Sequence, residues 1–155
     1  MNNNNQFELV HIQELSSIFN REVLIDKEML RSCSLAYLII FQHQKNNESV
    51  GLHVSIRYLT RNDKLLMQEG ATFIAKLDNW MNTSHEEEAL KKNAQVQAFI
   101  EYGLAFVSGM VFRKVSGTVM NNIFVPYISI NEIIEDVVIE EVHKSKEKKE
   151  LTSIN

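Results

Sequence analysis

The feature that most constrains this chain is a strict alternation of side chains between Val50 and Tyr58. Apolar residues occupy every second position, and small or polar residues fill the positions between them. Because successive side chains of a β-strand point to opposite faces, the pattern predicts a strand with one buried face. Segment 35–41, which is rich in β-branched and aromatic residues, precedes it. Turn-forming residues at 45–48 separate the two segments and predict a hairpin.

Two further strands are predicted beside this hairpin. One covers 65–77 after a turn at 60–64, and its Gly70 indicates a bulge or a close backbone approach. The other runs from Phe7 to about Phe19. Alternation in this first strand puts three residues on one face: Phe7, Leu9 and His11. The stretch between the first strand and the hairpin is less regular, and we expect it to cross over the sheet.

The second half of the chain changes to helical periodicity. Ser84 and Glu87 have the spacing of a capping box, which predicts the start of a long helix that ends near Gly117. Ser129 and Glu132 predict a second start, for a shorter C-terminal helix. Strands that precede helices indicate an α+β fold. We therefore expect a four-stranded antiparallel sheet, then a long helix, then a short one.

The predicted long helix is apolar over so much of its surface that it needs cover from the sheet and from a second subunit. It also contains four small residues that allow close contact: Gly103, Ala105, Ser108 and Gly109. Glycine is unfavourable inside a helix, so packing is a reasonable motive for it. These features favour contact with a second subunit.

Composition bounds the remaining organisation. We expect a disordered tail at 1–6, a single domain at 7–142 and a charged C-terminal tail at 143–155. A net charge of −4 argues against nucleic-acid binding. The start of the chain has no basic and apolar signal segment, no apolar run is long enough to enter a membrane, and Cys33 has no partner for an internal disulfide. These features predict a cytoplasmic protein.

Searches for catalytic chemistry in the sequence predict neither an enzyme nor a cofactor. His43 and His53 flank the hairpin, but they lack the further ligands of a metal site. Cys33 with a distant histidine is a conceivable nucleophile, although single cysteines are more often inert. No nucleophile elbow or phosphate-binding glycine loop occurs. A hotdog-type thioesterase is disfavoured because that fold places its helix before most of its strands.

Two parts of the sequence, one in the predicted third strand and one after the predicted long helix, resemble the SecB family of protein-export chaperones. Residues 67–73 (Met-Gln-Glu-Gly-Ala-Thr-Phe) are similar to the family pattern Val-Gln-Gln-x-Gly-x-Phe. Residues 116–119 (Ser-Gly-Thr-Val) are similar to Arg-Gly-Thr-Phe, and 122–130 (Asn-Ile-Phe-Val-Pro-Tyr-Ile-Ser-Ile) to Leu-Asn-Leu-Ala-Pro-Val-Asn-Phe. The resemblance extends over about 7–138. Leu66 stands where the family has an acidic residue for docking the SecA motor.

The resemblance implies a chaperone that binds unfolded or nascent polypeptides through an apolar groove, without nucleotide hydrolysis. The expected groove residues are Phe19, Leu24, Phe124, Pro126, Tyr127, Ile130, Ile134 and Val137. The resemblance also implies a homodimer or a homotetramer, and the expected oligomer interface consists of Phe99, Tyr102, Phe106, Met110 and Phe112. The lost acidic residue leaves open an alternative, in which the same scaffold serves one dedicated partner, as in toxin–antitoxin-associated members. Docking to SecA is correspondingly disfavoured.

Overall fold

A six-stranded sheet is the centre of the molecule. The computed structural model describes residues 7–20, 32–118 and 128–143. The strands are β1 (Phe7–Glu14), β2 (Ile18–Phe19), β3 (Ser34–His43), β4 (Ser49–Leu59), β5 (Leu65–Leu77) and β6 (Val138–Glu141). Their order is β1-β5-β4-β3-β6, and β2 pairs with β5 beyond the end of β1. All neighbours are antiparallel except β6, which runs parallel to β3.

The helices follow the five N-terminal strands. A 3-10 turn at Trp80–Asn82 leads to α1 (Glu87–Lys92) and the long α2 (Ala94–Val115). A short α3 (Ile130–Ile133) and a second 3-10 turn (Ile134–Asp136) precede β6. The α+β class is therefore confirmed. Among the described helices, none is long and apolar enough to cross a membrane.

The predicted four-stranded antiparallel sheet is wrong in its strand count and in its purely antiparallel pairing. The largest error lies after the capping box at Ser129, where Glu132 Oε2 accepts from the Ser129 amide at 3.3 Å as expected. The helix that starts there is only one turn long, and the chain then enters β6. The β-branched run 137–139 favours a strand, and pairing with β3 aligns Ile139 with Phe41. Backbone pairing with an exposed sheet edge thus replaces the expected helix.

The first strand departs from simple alternation because of a bulge. The register of β1 against β5 shifts between Leu9 and His11, which leaves Val10 exposed. After the shift Ile12, not His11, pairs with Phe73 and faces α2. A bulge adds one residue to one strand, so the alternation expected for His11 is reversed from there on.

The long helix begins later than its sequence suggests. Ser84 does not cap it, and Asn93 interrupts the helical segment between α1 and α2. Asn93 Oδ1 accepts from the amide nitrogens of Gln95 at 2.9 Å and Val96 at 3.2 Å. Asparagine is among the strongest N-cap residues, so it starts a new helix here. The predicted end is confirmed, because Gly117 takes a positive φ of 76° just after Val115.

One face of the sheet packs against α2 through a glycine contact. A Cβ on Gly103 would lie 2.6 Å from Leu52 Cδ2 and 3.0 Å from Val54 Cγ2. The helix therefore approaches β4 more closely than any side chain at 103 allows. Around this contact the fully buried large side chains of the core are Phe41, Phe73, Phe99, Leu52, Ile56, Leu66, Met67, Leu90, Ile100, Val50 and Val54.

Substitution of the two helix glycines tests this contact. Gly109→Ala meets no atom within 4 Å and should raise the free energy of unfolding by about 0.5–1 kcal/mol, because alanine favours the helix. Gly103→Ala gains the same propensity but overpacks the sheet, which costs about 1–3 kcal/mol. Urea unfolding should place Gly103→Ala below Gly109→Ala by that amount. Equal stability of the two variants contradicts the close helix–sheet contact.

Candidate functional site

The expected groove residues lie in different places. Leu24, Phe124, Pro126 and Tyr127 fall outside the described residues. Phe19 pairs with Met67 near the start of β5 and is half-buried. The three residues expected on the last helix, Ile130, Ile134 and Val137, are buried in the core of the chain itself. These three side chains therefore pack within the described part of the chain, and the groove as a whole stays a prediction.

The expected interface residues divide between core and surface. Phe99 and Met110 are buried within the chain. Tyr102 and Phe106 are half-buried and pack on Phe73, with ring centroids 5.9 and 5.5 Å away. Phe112 is different, because 70% of it is exposed at the C-terminal end of α2. Of the five residues, Phe112 is therefore the one with a large surface for a second subunit.

The sheet face that points away from α2, here called the open face, carries an apolar patch. Ile40 on β3 pairs with Val138 on β6, and Leu38 lies two residues along β3 on the same face. Leu38 is 37% exposed and Val138 43% exposed, while Ile40 is partly covered. We call these three residues the β3–β6 patch. Sequence reasoning missed it because Val138 was assigned to a helix.

The centre of the open face is polar. His53 and Arg57 alternate with the buried residues of β4, as the sequence predicts, and Ser55 lies between them. Burial and the neighbouring Arg57 charge both lower the pKa of His53. Ser55 is covered near Gly70, where a Cβ would lie 3.0 Å from the carbonyl oxygen of Val54. The close backbone approach expected at Gly70 is confirmed, and this part of the face has no acidic side chain on β4.

A histidine–tryptophan cluster lies at the C-terminal end of β3, where His43 is the last residue of the strand. His85 stacks on Trp80 with ring centroids 4.5 Å apart, and its Nε2 lies 3.2 Å from the Trp80 carbonyl oxygen. His43 packs 5.3 Å from the His85 ring. His43 points to the α2 side of the sheet and His53 to the open face, so these two histidines do not form a pair. Within the described segments, no group of three or more potential ligands could hold a metal ion.

The cysteine and tyrosines near the start of β3 show no activated group. Burial raises the pKa of the Cys33 thiol, which disfavours the thiolate that a nucleophile needs. Burial also raises the pKa of Tyr37 and Tyr58 to about 12 each. These phenols keep their protons at neutral pH, so they do not provide a base.

Comparison with known proteins gives no family assignment. The chain matches no protein-family model, and no significant match was found among curated proteins. The resemblance to SecB therefore stays a prediction from the short stretches described above.

The histidine cluster predicts a pH dependence of stability. Burial, and then the His85 charge, lower the pKa of His43, although Glu141 beside it on β6 acts in the opposite direction. A lowered folded pKa means that the unfolded state binds the proton more readily. The contribution is therefore present above the unfolded pKa near 6.5 and is lost as the pH falls below it.

Thermal unfolding from about pH 7.5 to about pH 5.5 measures this loss. His43→Gln should flatten the fall of melting temperature with decreasing pH. Part of the fall should remain, because His53 also has a lowered pKa. His143→Gln, at an exposed position, should keep the slope of the unmodified chain. An unchanged slope in His43→Gln shows that His43 does not couple protonation to folding.

Proposed function

We propose that this protein binds extended apolar segments of unfolded polypeptides and slows their aggregation, without nucleotide hydrolysis. The observation that carries the proposal is the β3–β6 patch, which exposes adjacent apolar side chains at one edge of the sheet. Exposed apolar patches that are bordered by polar residues are typical of interaction surfaces. The flanking Gln42 and Glu140, joined by a 3.0 Å hydrogen bond, supply such a border.

The edge of the sheet suggests how a client is held. In the described ranges 7–20, 32–118 and 128–143, β6 pairs with β3 on one side and with no strand on the other. An extended peptide that adds to such an edge gains main-chain hydrogen bonds, and alternate side chains rest on one face. Beside Val138, these side chains extend the β3–β6 patch. Exposed Glu140 and Glu141 at the end of β6 favour basic residues in the client and oppose self-pairing of the edge.

A SecB-like scaffold is part of the proposal, while delivery to SecA is not. Support for the scaffold comes from the sequence resemblance and from the order of β1–β5 before α2. Leu66, which replaces the acidic docking residue of the family, is fully buried. The adjoining positions His53 and Arg57 are not acidic, so the charge that a basic motor tail needs is absent from β4.

Aggregation of a reduced, unfolding model protein, followed by light scattering, tests the holding activity. The unmodified chain should suppress scattering at several-fold molar excess. The double variant Leu38→Ser/Val138→Ser should bind the client roughly tenfold more weakly or worse, because two apolar contacts are lost. Met81→Ser is the matched control, since Met81 is similarly exposed but lies in the 3-10 turn at 80–82.

The outcomes distinguish the role of the β3–β6 patch from the holding activity itself. Suppression that the double variant keeps would exclude the β3–β6 patch but leave holding activity intact. No suppression by the unmodified chain contradicts the chaperone proposal itself. Circular dichroism of each variant confirms that the sheet is still formed.

We also propose that the protein self-associates through the outward face of α2. Ala105, Gly109 and Phe112 follow one another at helical spacing on this face, and all three are exposed. A Cβ on Gly109 meets nothing within 4 Å, so a second helix has room to approach. An exposed phenylalanine beside small residues is suited to such a contact.

Sedimentation velocity measures this association. The unmodified chain should sediment as a dimer or tetramer, and Phe112→Asp should shift the population towards monomer, because a charge at the contact opposes burial. Met81→Asp places the same charge on a different surface and should not change the sedimentation. A monomeric unmodified chain at micromolar concentration rules out the interface.

A second candidate is a dedicated interaction protein on the same scaffold. The observation that favours it is the exposed Arg57 on the open face, whose positive charge suits one acidic partner. Co-purification followed by mass spectrometry distinguishes the two functions. One stoichiometric partner favours the dedicated role, whereas a mixture of unfolded chains favours the general one.

A further inference from the structure

A small cavity lies beside residues 15–17, which connect β1 to β2. It has a volume of about 260 Å³ and opens between β5 and the last turns of α2. Met110 supplies apolar wall from α2, and the exposed Ser17 lies beside Glu69. Arg113 lines the cavity from the helix side. The cavity is thus formed by three separate parts of the fold.

Glu69 is the unusual residue of this cavity. It is only 3% exposed and faces α2 from the middle of β5, opposite the fully buried Ile56. The Ser17 hydroxyl donates to Glu69 Oε1 at 2.5 Å. Across the described part of the chain, no cation lies within ion-pair distance of this carboxylate. Buried carboxylates in proteins are normally paired with a cation, and among the described residues Glu69 has the Ser17 hydroxyl as its donor and no cationic partner.

The cationic side chains of the cavity lie towards solvent. Arg113 Nη2 is 3.5 Å from Glu14 Oε1, so part of its charge is balanced across the opening. Lys114 also lines the cavity and makes no ion pair with any described residue. The lining therefore has two carboxylates and two cations, with a carboxylate innermost and a lysine exposed at the outside.

We propose that this cavity binds a free α-amino acid with a small apolar side chain. The ligand ammonium group donates to Glu69, its carboxylate meets Lys114 and the free edge of Arg113, and its side chain contacts Met110. A ligand with only a positive charge meets repulsion from the two cations, and a ligand with only a negative charge meets repulsion from Glu69 and Glu14. The volume lies below the range of about 300–1,000 Å³ that is typical of drug-sized ligands, so the site suits a smaller molecule.

Titration calorimetry on the full chain tests the ligand class without any variant. L-valine should bind, while valinamide, which lacks the carboxylate, and isovalerate, which lacks the ammonium group, should each bind about tenfold more weakly or not at all. Absence of valine, alanine and leucine binding up to millimolar concentration overturns the proposal. Valinamide or isovalerate binding as tightly as valine overturns recognition of both charges.

Two variants locate the site. Glu69→Gln keeps an acceptor for the Ser17 hydroxyl but removes the charge, and it should weaken valine binding by about tenfold or more. Lys114→Gln, at an exposed helix position, should weaken valine and leave valinamide unchanged. Glu48→Gln is the control, because this acid lies in the β3–β4 turn and should not change binding. Valine binding that Glu69→Gln and Lys114→Gln both retain at full strength places the ligand elsewhere and refutes the assignment.

Discussion

The contact of Gly103 with Leu52 and Val54 determines how the rest of the molecule is arranged. It brings α2 directly onto β4, so the aromatic side chains on either side of the glycine meet the sheet. Phe7 packs 5.1 Å from Phe99 between ring centroids, and Phe73 contacts Phe99 from β5. These contacts connect the edge strand β1 to the central strands through the helix. Because interiors are close-packed, a helix held this tightly leaves little freedom for repacking on that face.

In the described part of the chain the long helix α2 packs on one face of the sheet, which also explains where the exposed surfaces lie. One face of the sheet is covered by α2, and the open face keeps the polar side of each alternating strand. Apolar residues on that face are therefore informative, since alternation alone predicts polar ones there. Leu38 and Val138 are two such residues, and both lie beside Ile40, which pairs with Val138. The surface proposed for polypeptide binding thus follows from a departure from the pattern that predicts the sheet.

Local patterns in the sequence predict the central part of the fold well. Alternation and turn residues locate β3, β4 and β5, because strand faces and tight turns depend on neighbouring residues. The same reasoning fails where distant parts of the chain decide the outcome. Residues 137–139 have both a helical stripe and β-branched side chains, and only the free edge of β3 makes them a strand. The bulge at Val10 and the break at Asn93 likewise depend on pairing and capping that periodicity does not encode.

The candidate sites were less predictable than the fold, for the same reason. Ile130, Ile134 and Val137 have the apolar character of a groove, but apolar character does not distinguish a groove from a core. Glu69 reads as one polar residue within a strand, because the sequence does not reveal that the end of α2 and Ser17 reach it. A buried acid on the inward face of an alternating strand is the one signal present: Glu69 falls in step with Met67 and Phe73. Such a residue is worth singling out in a sequence before a structure is known.

The sheet separates the surface proposed for polypeptide binding from the cavity proposed for amino-acid binding. The β3–β6 patch is on the open face, and the cavity at Glu69 is on the α2 side. Two inter-strand steps separate β5 from β3, which is about 10 Å at the usual spacing of neighbouring strands. Sites this far apart without shared partners usually contribute independently to stability and binding. Communication between them requires movement of α2 against the sheet, and the close contact at Gly103 opposes that movement. We therefore expect the proposed polypeptide binding and the proposed amino-acid binding to be independent of each other.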